Sequence, residues 1–262
     1  MPASKKAAVR SSEWSPVPDP DGRFSSGIPD FDRLLGGGFA RGSTALFAWD
    51  ETVTPDDLDL LLFPTYLNML YHSRGIVAVL PARDGPSAFR ARLARYVTRR
   101  RFDSRVRLVD YVGEDAGAPY VVTMETLRHD PTRQPPTARE RRAALAKMVN
   151  AEKAVQGQRG KPFTEITAFE VFETLLGAEP ATRLFYFGIK RTREIGNLGV
   201  GLLGPGLGCA AAVRRMVDTE FELRREEMGL VVRGIRPAFP SHVVAVDRAR
   251  RAPYVSFVPR PA

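Results

Sequence analysis

The chain has 262 residues, a hydrophobic share of 44%, a charged share of 26% and a net charge of +9, a length that supports one α/β domain or two small ones. A single cysteine, Cys209, excludes an internal disulfide framework and any multi-cysteine metal site, and fits a reducing compartment. No apolar run approaches the roughly 18 residues of a membrane span, and the charged segment Met1–Arg10 has no apolar stretch behind it, so a cytoplasmic protein without membrane contact is expected.

Residues 1–22 are polar and include Pro2, Pro16, Pro18 and Pro20. Such a segment buries little and reads as a disordered tail, leaving 23–262 as one domain. Ser26 to Gly38 makes a short helix stopped by three consecutive glycines, which suits a helix C-terminus and a tight turn. Gly42–Ala48 reads as a buried strand, Leu58–Tyr71 as a helix and Gly75–Leu80 as a second strand. Pro86–Arg100 is helical by spacing, with Phe89, Leu93 and Val97 on one face, and Val106–Tyr111 is a third strand. This alternation predicts an α/β fold with a mostly parallel sheet built from βαβ units.

The middle is less regular. Tyr120–Thr123 is strand-like, and His129–Thr137 reads as loop because of Pro131, Pro135 and Pro136. Ala138–Val155 is charged and strongly helix-forming. With no separate core beside it, it is expected to be an exposed helix within an insertion at about 120–160. Phe163–Leu176, a helix at Ala181–Ile195, a buried strand at Gly199–Leu203 and a helix at Cys209–Val217 follow. Four short strands close the chain at Thr219–Arg224, Gly229–Ile235, His242–Asp247 and Tyr254–Val258, so a parallel sheet is expected to finish in antiparallel strands.

The strand at Gly42–Ala48 and the helix at Leu58–Tyr71 flank a turn, and a strand, a turn and a helix in that order normally present backbone N–H groups to a phosphate. Here the turn reads Trp49-Asp50-Glu51-Thr52-Val53-Thr54-Pro55-Asp56-Asp57. Pro55 stands where the lysine would be, Asp56 where the magnesium-binding hydroxyl would be, and no glycine remains. Thr54 can cap the helix, Pro55 suits its first position without offering an N–H, and Asp56 and Asp57 satisfy the helix dipole. Those carboxylates, with Asp50 and Glu51, repel a nucleoside triphosphate, so the turn is expected to stand empty.

The segment Ser26-Gly27-Ile28-Pro29-Asp30-Phe31-Asp32-Arg33-Leu34-Leu35-Gly36-Gly37-Gly38, continued by Phe39 to Ser43, resembles the opening of the RecA-like superfamily, in the branch of KaiC and the archaeal recombinase-like ATPases. The likeness extends more weakly through Asp218–Arg225 and covers about 23–262. It implies a P-loop NTPase-type fold, residues 49–57 as a degenerate Walker A motif, and a pseudo-ATPase with no catalytic residue, cofactor or metal. The paired glutamates that end the second strand in that family are missing, since Leu80 is followed by Pro81-Ala82-Arg83-Asp84 and only Asp84 could substitute. The acid that holds magnesium at the end of a later strand is matched best by Glu170, which also reads as a surface carboxylate.

Two roles follow. A non-catalytic member would act as a regulatory or assembly subunit, contacting itself or an active RecA/KaiC-like paralogue, with Lys190, Arg191 and Arg193 as candidate contacts. The alternative is a basic DNA-binding accessory protein of recombination and repair. It rests on arginines such as Arg90, Arg92, Arg95, Arg99, Arg100 and Arg101, and on further basic runs at 139–161 and 248–251. The bland reading of those arginines is a solvated face. An enzyme of another kind finds little support: His72, His129 and His242 lack metal-ligand spacing, and Cys209, whose pKa a following helix could lower, stands beside alanines. The glycine cluster 199–208 reads as a strand-to-helix connection rather than a dinucleotide fingerprint, because no ribose-binding acid follows.

Overall fold

The computed structural model describes residues 15–81, 85–111, 117–124, 137–156, 162–247 and 254–260. The elements in order are β1 (Arg23–Phe24), α1 (Pro29–Leu34), β2 (Phe39–Ala40), β3 (Thr44–Trp49), α2 (Pro55–Tyr71), β4 (Gly75–Val79), α3 (Pro86–Leu93), α4 (Arg99–Arg105), β5 (Val106–Asp110) and β6 (Val121–Thr123). They continue with α5 (Ala138–Gln156), β7 (Phe163–Ala168), α6 (Phe169–Leu176), α7 (Ala178–Ile195), β8 (Leu198–Leu203), α8 (Ala210–Met216), β9 (Thr219–Glu226), β10 (Gly229–Arg236), β11 (Ala238–Val246) and β12 (Val255–Pro259).

The main sheet runs β12-β11-β10-β9-β3-β8-β7-β4-β5-β6. From β9 to β6 every pairing is parallel, and β10, β11 and β12 add antiparallel strands at one end. Central strands β3, β4 and β8 are buried almost throughout, as a sheet covered on both faces requires. Phe31 of α1 stacks on Phe257 at a centroid distance of 4.8 Å and meets Phe221 at 5.0 Å, which ties the first helix to the antiparallel end.

The Ser26–Gly38 segment is a structural clasp. Asp32, buried, accepts a hydrogen bond from the Ser26 N–H at 2.7 Å and another from the Ser25 hydroxyl. Its carbonyl accepts from the N–H groups of Gly37 and Gly38 at 2.7 and 3.1 Å. The carbonyl of Ser26 accepts from Thr65 Oγ1 of α2 at 2.8 Å, so the clasp is locked to that helix beside its internal Pro64.

Three expectations are corrected. The described part of the 1–22 tail, residues 15–22, is held to the domain, while 1–14 lie outside the described residues. The Val17 N–H donates to Asn68 Oδ1 at 2.9 Å, and Asp19 pairs with the buried Arg74, which also lies over the Phe24 ring. Burial lowers the Arg74 pKa to about 10. The single helix expected at Pro86–Arg100 is two, because the chain turns after Leu93 to bury Val97 and restarts on Thr98, whose hydroxyl accepts from the Arg101 N–H. The helix expected to be exposed in an insertion is α5, and it covers the sheet. Ala144, Met148, Ala151 and Val155 form its buried stripe, with Val77 and Phe163 among the residues beneath.

Candidate functional site

The turn between β3 and α2 lies at the carboxyl edge of the parallel strands, where open α/β sheets bind ligands. Helix α2 begins at Pro55, the first position expected behind a Thr54 cap, and its first turn is closed by a capping box. Asp57 Oδ2 accepts from the Thr54 N–H at 2.9 Å and from Thr54 Oγ1 at 2.7 Å, while the Asp57 N–H donates to Thr54 Oγ1 at 3.3 Å. The other Asp57 oxygen pairs with Arg225 from the end of β9. The Arg225 N–H donates to Thr52 Oγ1 at 2.8 Å, and Thr52 in turn donates to Asp50 Oδ1 from its N–H at 2.9 Å. Asp57 is buried, Val53 is buried, and Asp56 and Glu51 face solvent.

The helix end that offers N–H groups to a phosphate in related architectures therefore has internal partners, and a cation from the neighbouring strand already sits on its buried carboxylate. Sequence reasoning found Thr54 and Asp57 but missed Arg225, which is 168 residues away in the chain. Replacing Thr54 by Ala removes the cap; a loss of about 1 kcal/mol is expected, read as a fall of roughly 2–4 °C in the unfolding midpoint.

Of the other expected features, Glu170 comes near the first residue of this turn, Trp49, and the rest sit apart from it or are otherwise engaged. Glu170 is half-buried in the first turn of α6 rather than at a strand end. It flanks Gly204, whose Cβ would lie 3.6 Å from Glu170 Oε2 and 3.4 Å from Trp49 Cζ2. Asp84 lies outside the described residues. In the glycine connection, the N–H groups of Gly208 and Cys209 donate to Glu173 at 2.7 and 2.9 Å. Burial works against the Glu173 carboxylate, yet the bonds from Cys209 and Gly208 hold its pKa below the usual range. The Cys209 thiol is pushed up to about 12, first by burial and then by Glu173, which reverses the effect expected of a helix start. Among the described histidines, His72 meets the Val17 carbonyl at 2.9 Å and His242 the Pro240 carbonyl at 2.7 Å; His129 lies outside them. Among the described residues there is no group of three or more His, Cys, Asp or Glu placed to hold a metal, and no helix is long and apolar enough to cross a membrane.

Most of the arginines singled out have internal partners. Arg92 pairs with Asp59 at 2.8 Å, and Arg99 with Asp103 at 3.4 Å. Arg90 lies over Tyr120 and Arg101 over Tyr71. Arg95 and Arg100 are exposed. On α7, Arg191 pairs with Glu152 at 2.6 Å, Arg193 with Asp218 at 2.9 Å, and Lys190 lies 3.9 Å from Glu194. Arg193 packs near Gly42, and Asp218 accepts from the Thr44 N–H, so this group sits at the amino edge of β3. The length of that strand separates it from the turn at 49–57. The basic run at 248–251 lies outside the described residues.

A model of the family described as GvpD basic region 2 matches residues 13–258. Protein GvpD2 of Halobacterium salinarum is 25% identical over 248 residues, 93% of this chain and 48% of that protein. Protein GvpD1 of the same organism is 39% identical over 72 residues, 28% of this chain and 13% of that protein. The chain thus spans about half the length of GvpD2 and a smaller part of GvpD1. Among solved structures, a KaiC-like protein of Pyrococcus horikoshii OT3 is similar with a TM-score of 0.60 at 14% identity, covering 92% of this chain and all of that one. An uncharacterized protein of Pyrococcus horikoshii, solved with an unknown peptide, gives a TM-score of 0.62 at 14% identity over 91% of this chain and 100% of its own. The fold is therefore the RecA-like one expected, with the KaiC-like arrangement of a mostly parallel sheet and added C-terminal strands.

Proposed function

The chain belongs to the GvpD basic region 2 family, and from that membership we propose that it is a non-catalytic RecA/KaiC-like protein acting as a regulatory or assembly subunit through protein contacts. The observation that carries the reading is the Asp57–Arg225 pair over the Thr54 capping box. A triphosphate entering there would have to displace Arg225 from the buried Asp57 carboxylate and place its charge beside Asp50, Glu51 and Asp56. That supports a degenerate Walker A motif and a pseudo-ATPase.

Protein contact is supported by α7, where Tyr186 and Phe187 are 54% and 60% exposed. Neighbouring aromatics left in solvent are the kind of anchor that interfaces use. A DNA-binding role has less behind it, because Arg90, Arg92, Arg99 and Arg101 are engaged within the domain.

Titration with a fluorescent ATP analogue and magnesium tests the first half: no saturable binding is expected, and micromolar binding would overturn the reading. Sedimentation of the protein alone and with an active KaiC-like paralogue tests the second. Association that is lost in a Tyr186→Asp, Phe187→Asp double variant supports it, and a monomer under both conditions counts against it.

A further inference from the structure

A cavity of about 210 Å³ lies between α5, α7 and the sheet, remote from the turn at 49–57. Its floor is one row of the sheet. Thr44 of β3 is in register with Gly199 of β8, and Gly199 with Glu165 of β7. Gly199 leaves a gap between the two polar side chains; a Cβ there would sit 2.8 Å from Thr44 Oγ1. On the opposite wall Gly188 of α7 faces the carboxyl group, with its Cβ position 3.8 Å from Glu165 Oε1. Two glycines thus open the space in front of one carboxylate. Phe172, Leu184 and Phe187 line it.

The polar groups in this cavity are out of balance. Arg191 is committed to Glu152 at 2.6 Å. Glu165 is half-buried on the cavity floor, and no described residue makes a hydrogen bond or ion pair to it. Thr44 is 1% exposed, and its Oγ1 has no hydrogen-bond partner. With both acids ionised, two carboxylates share one guanidinium. A carboxylate half-buried beside aromatic side chains, with the nearby guanidinium paired elsewhere, favours a counter-charge or a proton. Aromatic walls around a carboxylate suit an alkylammonium, whose stem packs on the rings while its N–H groups meet the oxygens.

We propose that this cavity is a binding site for a small organic cation, a primary alkylammonium held by Glu165 and Thr44 between Gly188 and Gly199. At the roughly 30 Å³ that a water occupies in the liquid, the volume takes a ligand of about five to seven heavy atoms, such as n-butylammonium or 1,4-diaminobutane. The site does not depend on the role argued for the turn at 49–57.

When empty, the site holds a proton on Glu165 below about pH 7. Burial raises the Glu165 pKa to about 7; Glu152 adds to the rise, and Arg191 opposes it. Glu152 on α5 and Arg191 on α7 are the charged groups that face it across the cavity. The ligand competes with that proton, so affinity rises with pH through the range where Glu165 ionises.

The test is calorimetric titration of the full chain with n-butylammonium chloride and with the neutral 1-butanol. Binding of the amine at about pH 8 is expected to exceed that at about pH 6 roughly tenfold, following the ionised fraction of Glu165. Butanol is expected to bind at least about tenfold more weakly than the amine at the higher pH. Glu165→Gln keeps the shape of the side chain and is expected to abolish the preference for the amine. Gly188→Leu, which fills the space from a helical position, is expected to abolish binding of both. Equal binding of amine and alcohol, binding independent of pH, no amine binding at all, or unchanged amine binding by Glu165→Gln would each overturn the proposal. Should Gly188→Leu fail to fold, the Gln variant alone decides it.

Discussion

In denaturant unfolding the wild-type protein is expected to lose stability between about pH 5 and about pH 8 relative to Glu165→Gln, by about 3 kcal/mol at the upper end. The magnitude follows from a carboxyl group whose pKa is about 7 in the fold against a model value of 4.5. The direction follows from proton counting. Between those values the folded state holds a proton that the unfolded chain releases, so ν_U − ν_N is negative and stability falls as pH rises. The contribution is complete below the unfolded pKa and is lost as pH passes through the folded one. Glu152, also raised by burial, acts in the same direction, with Arg191 opposing. Glutamine keeps the shape and cannot ionise, so the pH slopes of the two proteins should diverge across this window. Parallel slopes would mean that Glu165 titrates as an ordinary surface acid. Saturating n-butylammonium should recover part of the wild-type loss, since a ligand that binds only the folded state stabilises it.

Gly27→Ala is expected to destabilise the clasp by about 3 kcal/mol or more. The residue has φ +78°, and an added Cβ would lie 2.5 Å from the Pro64 carbonyl oxygen, inside any real contact. The left-handed backbone costs a side chain about 1–2 kcal/mol. The rest arises because the obstacle is backbone and cannot rotate away. Relief requires lifting the clasp from α2, which breaks the bond from Thr65 Oγ1 to the Ser26 carbonyl. Thermal unfolding of the variant would measure the loss. A midpoint within about 2 °C of wild type would mean that the two segments are not locked together.

Much of the fold was legible because its signals are local. Gly75–Leu80 and Gly199–Leu203 are short apolar runs, and each became a strand within a residue or so of its expected bounds. Thr54 and Asp57 stand three residues apart before a helix, so their capping box could be read from spacing alone. Helix α5 reads as exposed because charges surround its narrow Ala144, Met148, Ala151, Val155 stripe, which the structure buries. The break between α3 and α4 was hidden because Val97 continued the apolar face that Phe89 and Leu93 had begun.

The chain alone determined the alternation of strands and helices, the clasp motif, the altered turn and a basic net charge. Each depends on residues within a few positions of one another, where backbone geometry and helix or strand period link sequence to structure directly. Only the tertiary structure decided that Arg225 closes the turn onto Asp57, and that Arg191 and Arg193 lie at the far edge of the sheet. It also decided that most arginines in the 90–101 run have partners inside the domain, and that Glu165 faces a cavity opened by Gly188 and Gly199. The physical reason is that ion pairing and desolvation depend on distance in space. In a parallel sheet, residues side by side in one row come from strands separated by whole helices, so the sequence carries no spacing from which those neighbours can be read.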